Sequence, residues 1–245
     1  TGRVSVGEPP RDVRLPDARR LTSFLPQKVA FPDTLTGLEV ARFYGALREV
    51  RDDRIADALR AVSLNGAGAR AVGTYSGGMV QRLGLAVAML PDAPLMLLDE
   101  PTAALDPDGL SAFYALVDRH KADGRTLVFT SHQLGDVERL ADRIAILVNG
   151  RLVADLTQAD LVQRLADRGV MRLRLASLPN GLLDRVRTLA PGARWAGNDL
   201  LVPGPATARA GVLALAKAAG ADVQSLIAEE GRLDDFYREL VGAHA

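Results

Sequence analysis

The sequence contains no cysteine and, among its 245 residues, only three histidines, His120, His132 and His244. Without cysteine there is no disulfide framework, no thiolate nucleophile and no cysteine-ligated zinc. The histidines are too scattered along the chain to form a histidine-rich metal-binding motif. Aromatic residues make up only 4% of the chain, which leaves few rings on which single-stranded bases could stack. These absences exclude most thiol and metalloenzyme chemistry.

The chain also lacks an excess of either charge and a long apolar run. Thirty basic and thirty acidic residues give a net charge of zero, so the overall field favours neither nucleic acid nor an anionic membrane. The longest apolar stretch, residues 83–90, is much shorter than the roughly 20 residues that span a bilayer. With 48% apolar and 24% charged residues, the composition is that of a soluble chain of one or two globular domains.

Lysine is rare as well. The only lysines are Lys28, Lys121 and Lys217, and none of them follows a glycine. The sequence therefore has no Gly-x-x-x-x-Gly-Lys-Ser/Thr loop, the pattern whose backbone N–H groups and lysine hold nucleotide phosphates.

The first part of the chain shows helical and strand patterns in turn. Apolar spacing over residues 36–62 predicts two amphipathic helices, and a third helix over 79–90 completes a helical subdomain at about 36–90. Continuous apolar runs at 95–98 and 126–130, separated by a helical segment, predict strands that are buried on both faces. Such strands are typical of a parallel sheet covered by helices, an α/β fold.

The second part of the chain has a different pattern. Residues 144–148 and 151–153 predict two strands joined by a turn at Asn149-Gly150. From about residue 168 the elements follow the order β-α-β-β-α-β of the ferredoxin-like motif, a small α+β domain. Its predicted strands and helices cover 171–175, 178–189, 194–196, 200–202, 205–219 and 223–227, and a last helix covers 233–241. The predicted domains are therefore 1–167 and 168–245.

Two adjacent acids follow the buried strand at 95–98. Asp99 and Glu100 lie at its carboxyl end, where ligands of open α/β sheets usually bind. Asp99 could hold Mg²⁺ through water, and Glu100 could position and deprotonate a water that attacks a γ-phosphate. Taken alone, the same two acids could simply end a strand.

Two further segments carry groups that suit phosphate. Ser76-Gly77-Gly78 opens a helix, where free N–H groups and the helix dipole favour an anion, although the same residues also make an ordinary helix N-cap. His132 follows the strand at 126–130. At that place a histidine either makes a structural hydrogen bond or contacts a γ-phosphate and the attacking water.

Together these segments resemble the ATP-binding-cassette (ABC) ATPase family. They occur in the family's order over about residues 20–155. The matching segments are Phe24–Gln27 for the Q-loop, Tyr75–Arg82 for the signature, Leu95–Glu100 for the Walker B strand, Ala104–Asp106 for the D-loop and Thr130–His132 for the switch-histidine loop.

The resemblance implies a P-loop NTPase-like three-layer fold and a site for ATP and Mg²⁺. It makes Glu100 and His132 the catalytic residues, and Asp99 and Gln27 the residues that hold Mg²⁺. The ATP-binding residues that it implies are Gln27, Ser76, Gly77, Gly78 and Asp106.

The resemblance also implies partners and a location. In the family, two cassettes form a head-to-tail dimer in which the signature of one covers the γ-phosphate bound by the other. ATP closes this dimer and hydrolysis opens it. A homodimer is therefore expected, coupled to a transmembrane permease subunit at the cytoplasmic face of the inner membrane, with no nucleic-acid partner.

Departures from the family pattern lead to further expectations. Because the phosphate loop is missing and too few residues precede Gln27 to hold it at its usual distance, we expect an N-terminally truncated chain that is inactive alone. In the signature, Tyr75 and Met79 stand where leucine and glutamine are commonest. Two alternatives remain: a soluble ABC ATPase that acts on nucleic acid or the ribosome, and a non-hydrolysing regulatory module.

The segment after residue 168 is outside the cassette. A single cassette with a small βαββαβ tail resembles exporter-type bacterial ATPases with C-terminal accessory domains. That group includes drug-resistance exporters and the ATPase of the copper-processing transporter that matures nitrous-oxide reductase. The stretch Leu25–Pro32 and the segment Leu233–Tyr237 slightly favour the latter. The tail is expected either to regulate the ATPase or to stabilise its dimer.

Overall fold

The structure is a computed structural model that describes residues 2–177 and 179–244, and the side chains up to residue 242. In the first part of the chain, a parallel strand ends at the two predicted acids. Contacts within the chain divide it into two units, Thr1–Gln133 and Leu134–Ala245.

The first unit contains five strands, five helices and a short 3₁₀ turn at Val72–Thr74 within its described residues. In chain order they are β1 (Ser5–Val6), β2 (Arg11–Asp12), α1 (Pro16–Arg20), β3 (Thr22–Leu25), α2 (Gly37–Leu47), α3 (Asp52–Ala61), α4 (Gly77–Met89), β4 (Leu95–Asp99), α5 (Pro107–Ala122) and β5 (Thr126–Thr130).

The central sheet has the order β3-β4-β5, and all three strands are parallel. Leu25 pairs with Leu98, and Asp99 pairs with Thr130. The carboxyl ends of the three strands therefore meet at one edge of the sheet. The residues that follow these ends carry the predicted chemistry.

One face of this sheet is covered by helices, and the other is open. Leu25 and Leu98 are buried on the covered face, where Gly84 lets α4 approach β3 closely, since a Cβ at Gly84 would lie 2.9 Å from Leu25 Cδ1. On the opposite face Phe24 is 60% exposed and Val128 is 52% exposed. The prediction of burial on both faces is therefore wrong for 126–130, where Val128 is exposed, whereas residues 95–98 are buried or half-buried.

Helices α2, α3 and α4 pack against one another, as the spacing over 36–62 predicts for its two helices. Helix α2 begins with a capping box, in which the Thr36 hydroxyl accepts from the Glu39 N–H and the Glu39 carboxylate accepts from the Thr36 N–H. Ile55 of α3 is buried against α2, where a Cβ at Gly45 would lie 2.9 Å from Ile55 Cδ1. The close approach of these two helices depends on Gly45.

The second unit contains the remaining elements. In chain order they are α6 (Leu134–Leu140), β6 (Arg143–Val148), β7 (Arg151–Thr157), α7 (Gln158–Asp167), β8 (Val170–Leu175), α8 (Leu182–Arg187), β9 (Arg194–Ala196), β10 (Asp199–Pro203), α9 (Ala206–Ala218), β11 (Val223–Glu229) and α10 (Leu233–His244).

The hairpin β6-β7 and helix α10 share one core. Asn149 and Gly150 form the predicted hairpin turn, both with positive φ. Phe236 of α10 is 1% exposed and packs in one cluster with residues of β6, β7 and α7. The contacts therefore group residues 134–167 with the end of the chain, which differs from the predicted boundary at 167/168.

Strands β8 to β11 form an antiparallel sheet in the order β11-β8-β10-β9. With α8 and α9 they follow the predicted β-α-β-β-α-β order. Helix α8 is shorter than the predicted 178–189, because Pro179 and Gly181, which has φ +72°, precede it. Leu178, the first residue of that prediction, lies outside the described residues. In the described part of the chain, no helix has the length and apolarity needed to cross a membrane.

Candidate functional site

The two acids after β4 are connected through one threonine of β5. The Thr130 hydroxyl donates to Asp99 Oδ1 at 2.5 Å and accepts from the Glu100 N–H at 3.0 Å. The in-register pairing of β4 with β5 places Thr130 beside Asp99. Thr130 therefore fixes the position of Asp99 and of the Glu100 backbone together.

Glu100 makes a second contact, with the predicted switch histidine. His132 Nδ1 lies 2.8 Å from Glu100 Oε2. The Glu100 side chain is 16% exposed and that of His132 is 69% exposed. The pair therefore lies near the surface, beyond the carboxyl ends of the strands. An ionised carboxylate only accepts hydrogen bonds, so this contact places the imidazole proton on Nδ1 and leaves Nε2 available to another group.

The backbone of Glu100 has φ +48°, in the left-handed region. A non-glycine residue in that region is uncommon and costs free energy, on the order of 1 kcal/mol or more, unless its surroundings hold it. Here the hydrogen bond from the Glu100 N–H to Thr130 holds it. Backbone strain of this kind is concentrated at functional sites.

The predicted signature forms the start of α4. Ser76 is the N-cap, and its hydroxyl accepts from the Met79 N–H at 3.2 Å. Gly77 faces open space, whereas a Cβ at Gly78 would lie 3.0 Å from the Ala104 carbonyl oxygen. Gly78 therefore allows the segment before α5 to approach the helix, and the N-terminus of α4 keeps the N–H groups and dipole that suit a phosphate.

Asp106 caps α5 and is also bound to α4. Its carboxylate accepts from the Gly109 N–H at 2.9 Å and lies 3.4 Å from Arg82 Nη2. Gln81 Nε2 donates to the Pro101 carbonyl at 3.4 Å. The predicted signature and D-loop segments are therefore one connected structure.

The structure places the predicted site residues in two groups. Thr130 joins Asp99 to Glu100, and His132 contacts the Glu100 carboxylate, while Ser76, Gly77, Gly78 and Asp106 lie around the start of α4. Gln27 is exposed two residues after β3, at the same edge of the sheet, and makes no hydrogen bond with another predicted site residue among those the structure describes.

Sequence reasoning missed Thr130 and Arg82 as site residues. Both stand inside segments that match family motifs, but their contacts cross 31 positions of the chain to Asp99 and 24 to Asp106, so no local pattern reveals those partners. A weak signal exists for Arg82, which follows Gly78 by one helical turn and therefore shares its side of α4.

The donor set at the strand edge fits Mg²⁺ as an ion shared with a nucleotide. Among the described residues, no group of three or more His, Cys, Asp or Glu could hold a metal by itself. Mg²⁺ usually takes one or two carboxylates, water and substrate phosphates. Asp99 could supply such a carboxylate, and Gln27 an amide oxygen at the same edge.

The sequence of this chain is similar to those of known ATP-binding proteins. Residues 1–103 match the family model described as ABC transporter. The chain is 30% identical over 194 residues to a linearmycin resistance ATP-binding protein of Bacillus subtilis, covering 78% of this chain and 62% of that protein. It is 35% identical over 153 residues to a doxorubicin resistance ATP-binding protein of Mycobacterium tuberculosis, covering 61% of this chain and 46% of that protein.

Two solved structures are similar to it. One is an ATP-binding subunit of an ABC transporter, with a TM-score of 0.55 and 27% identity over 60% of this chain and 63% of that one. The other is a dimeric ATP-binding cassette in a post-hydrolysis state bound to ADP and Pi, with a TM-score of 0.53 and 26% identity over 57% of this chain and 64% of that one. The predicted α/β P-loop NTPase-type fold is confirmed. The chain spans about half to three fifths of the two resistance proteins.

Proposed function

We propose that this chain carries an ABC transporter ATP-binding domain and works as the ATP-hydrolysing subunit of a transporter. The observation that supports this most directly is the connected set Asp99, Thr130, Glu100 and His132 at the edge of the parallel sheet. It combines a carboxylate for Mg²⁺ with a carboxylate–imidazole pair for a nucleophilic water.

In this proposal Glu100 is the general base. His132 orients the Glu100 carboxylate through the 2.8 Å contact, and its Nε2 would be free to contact the γ-phosphate. Asp99 and Gln27 would hold Mg²⁺, which would neutralise phosphate charge when bound. The printed sequence has no Gly-Lys phosphate loop, so we expect these 245 residues alone to hold ATP poorly.

The second part of the proposal is an ATP-dependent homodimer. Gly77 faces open space and Ser76 is exposed, so the N-terminus of α4 is accessible to a nucleotide bound by a second copy. Ser76, Gly77 and Gly78 would then cover the γ-phosphate of that nucleotide. A head-to-tail pair places Glu100 of one copy and the signature of the other on the same ATP.

The third part is a transmembrane partner, bound through a surface that we name the α2 patch: Phe31, Phe43, Tyr44 and Leu47. The rings form edge-on pairs, Phe31–Tyr44 at 5.8 Å and Phe43–Tyr44 at 5.4 Å between centroids. Phe43 is 58% exposed and Leu47 is 65% exposed. Exposed apolar clusters of this kind mark interaction sites.

The α2 patch favours a membrane-protein partner over nucleic acid, which would require a basic surface. With a transmembrane partner bound there, the chain would lie peripherally at the cytoplasmic face of the inner membrane, as the family resemblance implies. The names of the two resistance proteins favour a drug exporter over the copper-processing transporter. The cargo is then set by the membrane subunit, and the βαββαβ segment acts as an accessory domain.

Glu100→Gln tests this function. We expect the protein made from the full reading frame that encodes this chain to keep its ATP affinity while turnover falls roughly 10² to 10⁴-fold, the usual contribution of a general base. The measurements are ATP binding by calorimetry and phosphate release. Asp108→Asn, an exposed acid in the first turn of α5, is the matched control and should leave turnover unchanged.

Undiminished turnover in Glu100→Gln would remove Glu100 from the proposed role. The non-hydrolysing alternative gives a different result, because the unchanged protein would itself release no phosphate. Copurification distinguishes a transporter subunit from a soluble ABC ATPase, because only the former should copurify with a membrane subunit encoded beside it.

A further inference from the structure

Two chain segments run side by side just before the signature. One is the segment leading into α2, residues 33–38, and the other is the loop leading into α4, residues 67–75. Backbone hydrogen bonds join them at Leu38 N–H to Gly68 O (2.8 Å), Gly37 N–H to Arg70 O (3.3 Å), Val72 N–H to Leu35 O (2.8 Å) and Gly73 N–H to Asp33 O (3.0 Å). The start of α2 is therefore fixed to the loop that ends at Ser76.

Tyr75 packs directly on the first residue of α2. Its hydroxyl donates to the Ala67 carbonyl at 2.8 Å, within the same loop. A Cβ at Gly37 would lie 2.3 Å from the Tyr75 hydroxyl oxygen and 3.2 Å from its Cζ. Gly37 does not have a positive φ, so the backbone does not require glycine there. Glycine is present because the tyrosine ring takes the space.

The surroundings of Tyr75 hold its ring in this place. The Arg70 guanidinium lies 5.9 Å from the ring centroid, and Arg70 Nη2 donates to the Thr74 carbonyl at 3.0 Å. Burial raises the pKa of the Tyr75 phenol, so the hydroxyl stays protonated and able to donate near neutral pH. The residue next along the chain is Ser76, the cap of α4.

We infer that Tyr75 and Gly37 are a matched pair that positions the signature, with Tyr75 as the positioning residue. The hydroxyl on Ala67 and the ring on Gly37 set where Ser76 and the N–H groups of α4 stand relative to α2. A leucine in place of Tyr75 has no hydroxyl for Ala67 and cannot make this contact. The inference rests on the proposed function, since positioning matters when the signature meets a second copy's ATP.

A reciprocal pair of substitutions tests it in the protein from the full reading frame. Gly37→Ala forces its methyl group against the tyrosine hydroxyl and should weaken ATP-dependent dimerisation roughly tenfold, the size of effect typical of overpacking. Tyr75→Leu should weaken it by a smaller factor. In the double variant the clash is gone, so dimerisation should recover to the level of Tyr75→Leu alone. Dimerisation is measured by sedimentation at a series of ATP concentrations.

A second measurement is the ATP affinity of the monomer. If Tyr75 and Gly37 only stabilised the fold, substituting them would lower this affinity as well as dimerisation. The signature acts on the nucleotide of the other copy, so monomer ATP affinity should stay within about twofold while dimerisation changes. Gly66→Ala, at the residue just before this loop and facing open space, is the matched control and should leave dimerisation unchanged.

Each outcome decides the inference. Additive effects of Gly37→Ala and Tyr75→Leu, or equal losses of monomer affinity and dimerisation, would overturn it. If Gly37→Ala does not fold, Tyr75→Phe removes only the hydroxyl, and unchanged dimerisation in that variant would overturn it too. Failure of the unsubstituted protein to dimerise with ATP would instead count against the proposed function.

Discussion

The hydroxyl of Thr130 bonds to both acids at the end of β4. It donates to Asp99 Oδ1 and accepts from the Glu100 N–H, whose residue has a strained backbone. Its removal leaves the Glu100 N–H without that acceptor and Asp99 without that donor, and hydrogen bonds to charged groups contribute more than neutral ones. Thr130 therefore determines how Asp99 and Glu100 are held relative to each other.

Thr130→Val is expected to lower turnover by about tenfold, because valine keeps the shape of threonine but neither hydrogen bond. Phosphate release at saturating ATP is the measurement. Thr126→Val, at the other end of β5 and also exposed, is the matched control and should retain the original turnover. Equal turnover in the two variants would contradict the role given to Thr130.

Buried His120 makes the stability of the folded chain depend on pH. His120 in α5 is 5% exposed, and burial, with Arg125 nearby, lowers its pKa below the ordinary 6.5. The unfolded chain therefore binds this proton more readily than the folded chain. The contribution of neutral His120 to stability is complete above about pH 6.5 and is lost as the pH falls below it.

His120→Gln should flatten that dependence, because glutamine does not titrate. Urea unfolding of both proteins at pH 7.5 and pH 5.5 gives the comparison. A variant that loses as much stability between the two pH values as the original would show that His120 is not the group responsible.

At the scale of the element, α2 has a buried and an exposed apolar side. Val40 and Ala41 are buried in the helical packing, whereas Phe43 and Leu47 of the α2 patch are exposed. A surface helix usually has polar residues on the side that faces solvent. Exposed apolar residues on that side of α2 are therefore not accounted for by packing within the chain. The outer side is what we propose for partner binding.

Phe43→Glu should therefore reduce copurification with the proposed membrane subunit by at least about tenfold, since a charge would be buried at the contact. Thermal stability and ATPase activity of the isolated protein should not change, because Phe43 is 58% exposed. Val162→Glu, at a 61% exposed apolar position of α7, is the control. If both variants lost the partner, the α2 patch would not be its specific binding surface.

At the scale of the molecule, the second unit holds two separate cores. One lies between the β8–β11 sheet and helices α8 and α9, and the other includes β6, β7, α7 and α10. Phe236 belongs to the second core, with the Arg168 guanidinium 4.9 Å from its ring and Arg168 Nη2 3.0 Å from the Glu239 carboxylate. Helix α10 therefore completes the hairpin region although it is distant in sequence.

Phe236→Ala is expected to cost about 3 to 5 kcal/mol of stability, as for other large buried aromatic residues. Hydrogen exchange should accelerate in β6, β7 and α7 more than in the β8–β11 sheet. Tyr237→Ala is the control, because Tyr237 is 39% exposed. Equal acceleration in both cores would show that they unfold together and that the separation into two cores has no energetic meaning.

The elements could be predicted from the sequence where a pattern is local. The apolar runs at 95–98 and 126–130 gave strands, Asn149-Gly150 gave a turn, and the spacing over 36–62 gave two helices. The site was predicted as far as adjacent residues define it: Asp99 with Glu100, and Ser76 with its glycines. The roles of these residues stay predictions until the variants are measured.

The sequence by itself determined the order of the motifs, the type of most elements and the pair of acids at a strand end, because each depends on residues within one or two turns of one another. The tertiary structure decided what lies far apart in the chain. Strand register brought Thr130 to Asp99, the backbone pairing brought Gly37 under Tyr75, and helix packing placed α10 on the hairpin. Such contacts join residues dozens of positions apart, and only the folded backbone sets their distance.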